Sequence, residues 1–180
     1  MVRAVDAIST KHALIDYGVG QGWLTDHPAG DAWLLDRWYR VTVRGRTIPA
    51  LPLYGFKRPL ILHDIHHLIT GYPTDLCGEM ALAGWELGSG GCAYYPVFWL
   101  VQLGFFLTAL LLMPSMALRA FASGRMNRNL YRCDPDALLS QTIDATWTYV
   151  RRSYGWGRAP SSDSPRASCA RSTTPGKRTD

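Results

Sequence analysis

The residues best suited to chemistry in this chain lie in one five-residue stretch, His63-Asp64-Ile65-His66-His67. On a helix, His63 and His67 are four positions apart, so both imidazoles leave one face a turn from each other. Asp64 lies about 100° round the helix axis from His63, at the edge of that face. Two imidazoles and a carboxylate on one arc are typical ligands of a borderline divalent metal such as zinc.

A further acidic residue can reach the same site from a neighbouring helix. The stretch Gly71-Tyr72-Pro73 cannot continue a helix, because proline lacks an N–H and restricts the residue before it. Thr74 or Asp75 then supplies the N-cap of a second helix, and the short corner makes the two helices antiparallel neighbours. Glu79, in the first turns of that helix, can therefore face His67, as in metal sites built between the helices of a bundle. The predicted ligands are His63, Asp64, His67 and Glu79.

Two other polar residues of these helices have less direct predicted roles. His66 points about 60° to the other side of His63, so it is interpreted as a hydrogen-bond partner of a ligand or as a core histidine. Glu86 shares a helix face with Glu79 and is a partner or an alternative ligand. In a metal hydrolase, either residue would be the base. A solvated face with ordinary charges is disfavoured, because the apolar residues around the cluster make unpaired ionisable groups costly.

The motif H-D-x-x-H, eleven residues and then E resembles the metal-binding signature of the ubiquinone (coenzyme Q) biosynthesis family known as the fourth Coq protein. The continuation over residues 70–75 and Gly78-Glu79 is similar to that of bacterial members. The resemblance is tight over residues 63–88, loose from there to about 150, and poor before residue 60. It implies a zinc site, or a site for another divalent metal. The implied ligands are His63, Asp64, His67 and Glu79.

The resemblance also implies a function at a membrane. The family is associated with removing the C1 carboxylate from a polyprenylated hydroxybenzoate, with hydroxylation at that carbon, and with organising the other pathway enzymes. A metal-dependent decarboxylase of the lyase class is therefore favoured. Two alternatives stay open: a non-catalytic lipid-binding scaffold with a structural metal, and a metal-dependent enzyme acting on another aromatic or isoprenoid substrate.

The same resemblance implies partners and a location. The expected partners are a polyprenylated aromatic lipid, other ubiquinone biosynthesis enzymes and a membrane surface; formation of a homo-oligomer is left open. The expected location is intracellular and peripheral to a membrane. This would be the cytoplasmic face in a bacterium or the mitochondrial inner membrane in a eukaryote.

A charge-free apolar run covers residues 97–113. Its length is at the lower limit for a transmembrane helix, which takes about 20 residues. Gln102 and Thr108 interrupt its apolar character, and Pro114 ends it. Three interpretations stay open: a buried core helix, a wall of a lipid-binding groove or membrane-docking surface, and a bilayer span. The family resemblance favours the second.

The overall pattern predicts an all-α protein. It is a compact multi-helix bundle over residues 1–155, with the metal site between two antiparallel helices, followed by a disordered tail over residues 156–180. The tail is rich in Ser, Pro, Thr and Arg, so it cannot bury enough apolar surface to order itself. Asp134 and Pro135 are expected to begin a helix as N-cap and first residue. Residues 33–39 are interpreted as helix and residues 39–45 as a short extended link.

Charge and cysteine spacing disfavour several other classes of protein. The net charge is +5, but the five basic and two acidic residues of 158–180 supply +3 of it, so the rest carries only +2. A nearly neutral domain does not favour nucleic-acid binding. The four cysteines include no C-x-x-C pair, which disfavours a zinc finger. No apolar signal segment follows Met1, so reduced thiols and an intracellular protein are expected.

Overall fold

The computed structural model describes residues 8–22, 24, 38–43, 46–52, 57–92 and 95–151. Over these ranges the chain forms seven helices and one two-stranded hairpin. In chain order the elements are α1 (Thr10–Gln21), β1 (Trp38–Val43), β2 (Arg46–Pro52), α2 (Lys57–Thr70), α3 (Leu76–Gly88), α4 (Pro96–Leu112), α5 (Pro114–Arg125), α6 (Pro135–Ser140) and α7 (Ile143–Val150). The predicted helical fold class is confirmed. The predicted disorder of residues 156–180 lies outside the described residues.

The hairpin corrects one expectation for the N-terminal third. The helix predicted over residues 33–39 is wrong at Trp38 and Tyr39, which belong to β1, and its earlier residues lie outside the described ranges. Strands β1 and β2 pair antiparallel, with a bulge after Tyr39 beside the pair Arg40 and Pro49. Proline is compatible with this ladder because it is tolerated on edge strands and at bulges, and both strands of a lone pair have an outer edge.

Helix α3 lies at the centre of the helical core and packs against both α5 and α4. At its contact with α5 the backbones touch. A Cβ atom added to Gly88 would overlap the carbonyl of Phe121, and one added to Gly124 would overlap the carbonyl of Trp85. Only glycine fits at these two positions, so the small residues determine how closely α3 and α5 approach.

The corner between α2 and α3 forms as the sequence predicts. Gly71 has the left-handed conformation, φ 73°, that commonly ends a helix. Asp75 is the N-cap of α3, and its carboxylate accepts a hydrogen bond of 2.8 Å from the Gly78 amide. Side-chain contacts pair His67 with Glu79 near the corner and the earlier His66 with the later Glu86. The two helices are therefore antiparallel.

Helix α4 has one buried and one exposed apolar face. Phe98, Gln102 and Ala109 are buried, whereas Leu111 is 85% exposed and Leu100 60% exposed. The helix ends before Pro114, which begins α5, as predicted. At 17 residues α4 falls short of a bilayer span, and none of the other helices in the described ranges is long and apolar enough for one.

The C-terminal described segment consists of two short helices rather than one. Asp134 is the N-cap of α6 and Pro135 its first residue, in agreement with the prediction. Helix α6 ends before Gln141. Helix α7 begins after Thr142, whose hydroxyl accepts a hydrogen bond from the Ala145 amide. Thr146 of α7 hydrogen-bonds through its hydroxyl to that of Thr10 in α1 at 2.8 Å, which joins the two ends of the described chain.

Candidate metal centre

Three of the four predicted ligands converge on one point between α2 and α3. The Nε2 atoms of His63 and His67 are 3.2 Å apart. The Glu79 carboxylate bridges them, with Oε2 at 3.1 Å from His63 Nε2 and Oε1 at 3.2 Å from His67 Nε2. The ligand atoms of these three residues lie within 4.8 Å of one another, so the group could hold a metal ion.

The hydrogen bonds of the other ring nitrogens indicate which atom of each histidine is available. His67 Nδ1 is 2.9 Å from the Tyr72 carbonyl oxygen, which can only accept, so Nδ1 carries the proton. His63 Nδ1 is 3.0 Å from Oε1 of Glu86, which orients it in the same way. When both rings are neutral, this arrangement directs the unprotonated Nε2 of each toward the shared point. Metal-binding histidines typically donate the other ring N–H to a carboxylate or a carbonyl.

This donor set fits a cation. Two Nε2 lone pairs facing each other beside a carboxylate repel unless a proton or a metal ion lies between them. Two nitrogens each about 2.1 Å from one tetrahedral ion would lie roughly 3.4 Å apart. The separation of 3.2 Å between the two Nε2 atoms is close to this value. Glu79 is 27% exposed, whereas His67 is 1% exposed, so the point is open to solvent on the Glu79 side.

Glu86 is the buried centre of a second group of polar side chains. Its Oε1 accepts hydrogen bonds from His63 Nδ1 at 3.0 Å, His66 Nδ1 at 2.7 Å and the Tyr131 hydroxyl at 2.6 Å. Its Oε2 accepts one from Gln102 Nε2 at 2.6 Å. Burial alone would raise the pKa of the Glu86 carboxyl, but His63 and His66 together lower it far below its usual range.

His66 contributes to this network and is not part of the metal-binding group. The Leu130 amide donates to His66 Nε2 at 2.9 Å, so the proton is on Nδ1, which donates to Glu86. Burial lowers the pKa of His66 despite its contact with Glu86, consistent with a neutral ring. The ring also packs against Trp85 and Tyr131, with centroids 5.1 and 4.9 Å away. This geometry matches the interpretation as a hydrogen-bond partner of the site.

The structure does not place Asp64 with the three converging residues. One position along the helix from His63, its short side chain leaves in a different direction, and it remains partly exposed. Burial raises the pKa of the Asp64 carboxyl to about 6, although the charges of His63 and His67 oppose this. Of the four predicted ligands the structure therefore brings together His63, His67 and Glu79, and a ligand role for Asp64 stays a prediction.

The charges at the centre are strongly coupled. Burial alone would lower the pKa of His63, but the Glu86 and Glu79 carboxylates raise it well above its usual value. Burial would likewise raise the pKa of Glu79, whereas hydrogen bonds and charges from His63 and His67 lower it to about 2. In the metal-free chain the two carboxylates therefore favour the protonated form of His63.

Sequence patterning missed two residues of the buried network, Gln102 and Tyr131. Gln102 is the one amide in the apolar run of α4, and it is only 5% exposed. A lone buried amide in such a run is itself a signal, because it needs a polar partner. Tyr131 follows α5 and carries no spacing signal that relates it to His66 or Glu86.

No protein-family model, no curated protein and no solved structure matches this chain. The resemblance to the ubiquinone biosynthesis family therefore stays a prediction from the motif residues.

Proposed function

We propose that this chain binds one divalent metal ion, zinc foremost, through His63, His67 and Glu79. The observation that carries the proposal is the convergence of the Nε2 atoms of His63 and His67 and the Glu79 carboxylate on one point. Two histidines and one glutamate also form the protein ligand set of several catalytic zinc sites, which leave one position for water or substrate. The partial exposure of Glu79 gives such a position access to solvent.

We propose further that the centre acts on an aromatic ring that carries a carboxylate. A bound divalent metal would polarise a carboxylate or phenolate oxygen of such a ring as a Lewis acid. The chain supplies the binding geometry: Glu86 fixes the orientation of His63, and the Tyr72 carbonyl fixes that of His67. Phe98 lies with its ring edge-on to His63, at a centroid distance of 5.6 Å, and gives the site an apolar wall.

The pathway we propose is ubiquinone biosynthesis. This proposal is supported by the spacing of His63, His67 and Glu79, which resembles the family signature, and by the apolar helix beside the site. The substrate would be a polyprenylated hydroxybenzoate that loses its C1 carboxylate as CO2. Hydroxylation at the same carbon would need a two-electron oxidant such as dioxygen, supplied from outside the chain. As a scaffold, the second candidate, the chain would use the metal structurally and present the lipid to other enzymes; the long exposed apolar face of α4 favours this candidate.

The exposed face of α4 is proposed to face lipid. Val97, Leu100, Leu107 and Leu111 are all about half exposed or more along one side of the helix. Between Glu86 and Asp134 the sequence contains four arginines and no acidic residue. An apolar helix face within a stretch of sequence that is cationic and free of acidic residues is typical of segments that bind an anionic membrane surface without crossing it.

Metal content tests the first proposal. The purified protein is expected to contain about one zinc or similar ion per chain by elemental analysis, because three candidate ligands lie within 4.8 Å of one another. The variant His63→Ala/His67→Ala should contain none. The matched control is His12→Ala, which removes an exposed histidine of α1 and should retain the metal. Equal metal content in the double variant and the wild type would disprove the proposed site.

Complementation of a ubiquinone-deficient strain tests the pathway and separates the two candidate functions. The wild type should restore the quinone. For an enzyme, Glu79→Ala should remain folded and keep its partners while a carboxylated polyprenyl precursor accumulates, as read by mass spectrometry. For a scaffold, the same variant should lose partner assembly and accumulate earlier intermediates. No quinone with the wild type would contradict a role in this pathway.

Vesicle flotation tests the lipid-facing surface. The wild type is expected to float with anionic phospholipid vesicles, and Leu107→Asp/Leu111→Asp should not, because two charges then lie on the apolar face. The control is Leu76→Asp, which adds a charge at a leucine that is 66% exposed on α3. Equal flotation of the wild type and the double variant would argue against this surface.

A further inference from the structure

Helix α4 contributes one polar side chain to the interior, and that side chain reaches the metal centre. Gln102 Nε2 donates to Glu86 Oε2 at 2.6 Å and also lies 3.1 Å from His63 Nδ1. Gln102 is 5% exposed, and its buried neighbours on α4 are Phe98 and Ala109. Helix α4, which contributes none of the three candidate ligands, is therefore connected to His63 through the Glu86 carboxylate.

The Glu86 carboxylate is held from several directions. His63 and His66 donate from α2, Gln102 from α4 and Tyr131 from the segment after α5. Because the Leu130 amide fixes the proton of His66 on Nδ1, that ring can only donate to Glu86. With four donors around it and 1% exposure, Glu86 is an acceptor whose position is determined by the surrounding elements.

We propose that Glu86 and Gln102 are positioning residues that set the metal affinity of the centre. Glu86 holds His63 with Nε2 toward the metal point and makes that nitrogen a stronger donor through its negative charge. Gln102 keeps the carboxylate in place from α4. This inference rests on the proposed metal binding. Losing a hydrogen-bond partner behind a metal ligand typically weakens metal affinity about 10- to 100-fold.

The test measures the zinc affinity of the purified full chain by competition with a chromophoric chelator. Glu86→Gln keeps the shape of the side chain but removes its charge, and its zinc Kd should rise about 10- to 100-fold. Gln102→Leu should weaken binding less, because Glu86 keeps three of its four donors. Circular dichroism confirms that each variant is folded before its Kd is measured.

A charge-relocation variant separates positioning from simple structural damage. In Glu86→Gln/Gln102→Glu the carboxylate moves from position 86 to position 102. In the wild type, the Nε2 atom of Gln102 lies 3.1 Å from His63 Nδ1. The charge thus stays beside the ring, and the Kd should return to within about threefold of the wild type. The visible spectrum of the cobalt(II) form should change in Glu86→Gln and recover in the double variant.

The matched control is Thr146→Val, which removes a buried hydroxyl bonded to Thr10 and Gln141, away from the centre. It should lower stability without changing the zinc Kd. The inference is overturned if folded Glu86→Gln binds zinc like the wild type, or if the double variant regains stability but not affinity. If the wild type itself binds no zinc, the proposed metal site is disproved. That outcome is distinguishable from the two that overturn the positioning role of Glu86 and Gln102.

Discussion

Helix α3 packs in different ways against its two neighbours α5 and α2. Toward α5, Gly88 meets the backbone of Phe121 so closely that no side chain fits between the helices. Toward α2, Glu79 and Glu86 fill the space with carboxylates that meet the rings of His63 and His66. The contact between α3 and α5 is a close backbone contact stabilised by dispersion forces. The contact between α3 and α2 consists of hydrogen bonds to charged carboxylates.

The difference shows how a small helical protein can hold a polar centre in its core. Buried charges are costly unless their partners are fixed. The close contact with α5 leaves α3 little freedom to shift, so Glu86 stays in register with its four donors. The apolar contact positions the helix, and the polar contact holds the residues of the candidate metal centre.

The largest effect is expected from Glu86→Ala on the polar side. Removing the carboxylate leaves the donors of His63, His66, Gln102 and Tyr131 without their acceptor in the interior. Breaking such a network should lower the free energy of unfolding by about 4 kcal/mol. Tyr131→Phe removes one donor and should cost only about 1 kcal/mol. Urea unfolding of both variants measures the contrast, and equal losses would contradict a network centred on Glu86.

On the apolar side, Gly124→Ala should destabilise by roughly 3 kcal/mol, because the new Cβ would meet the carbonyl of Trp85. The matched control is Gly104→Ala on α4, where nothing lies within 4 Å of an added Cβ. That change should stabilise the protein by roughly 0.5–1 kcal/mol through helix propensity alone. If thermal unfolding shows the same change in stability for Gly124→Ala and Gly104→Ala, the backbone contact does not determine how closely α3 and α5 pack.

Acid should affect the polar side selectively in the metal-free protein. The pKa of Glu79 falls from 4.5 to about 2 on folding, and that of Glu86 falls further. Their contribution is therefore present above about pH 4.5 and is lost as the pH falls toward 2, by on the order of 3 kcal/mol. His63 behaves in the opposite way: its pKa is raised, so its contribution is complete below about pH 6.5 and declines as the pH rises.

Denaturant midpoints measured in EDTA across this range should therefore be highest in mildly acidic solution. In Glu86→Gln the denaturant midpoint should fall less steeply as the pH decreases below about 4.5. A midpoint that does not change between pH 5 and pH 3 would contradict the lowered pKa values.

The smallest effect concerns Asp64, at the edge of the polar contact. Its pKa is raised to about 6 by burial, so its ionised form costs stability above that pH. Asp64→Asn should stabilise the metal-free protein at pH 8 by about 1 kcal/mol and have little effect at pH 4. A loss of metal from this variant, measured by elemental analysis, would instead restore Asp64 as a ligand.

Much of the site could be predicted from the sequence because its parts are local. The spacing of His63 and His67 places them on one helix face in any helix, and Gly71 and Pro73 force a corner. Asp75 then caps α3 and sets the position of Glu79 relative to that corner. The sequence does not predict the hairpin at residues 38–52, because its second strand contains Pro49 and Pro52, which a lone two-stranded ladder tolerates at its edge.

The sequence by itself determined the helices α2 and α3, the corner between them and the convergence of His63, His67 and Glu79, since all of these follow from spacings within about 20 residues. Only the tertiary structure decided that Asp64 stays outside the group, that Glu86 lies behind His63, and that Gln102 and Tyr131 complete its shell. These contacts join α4 and the segment after α5 to α2 and α3. Their geometry depends on how closely helices distant in sequence approach, and no local periodicity encodes that distance.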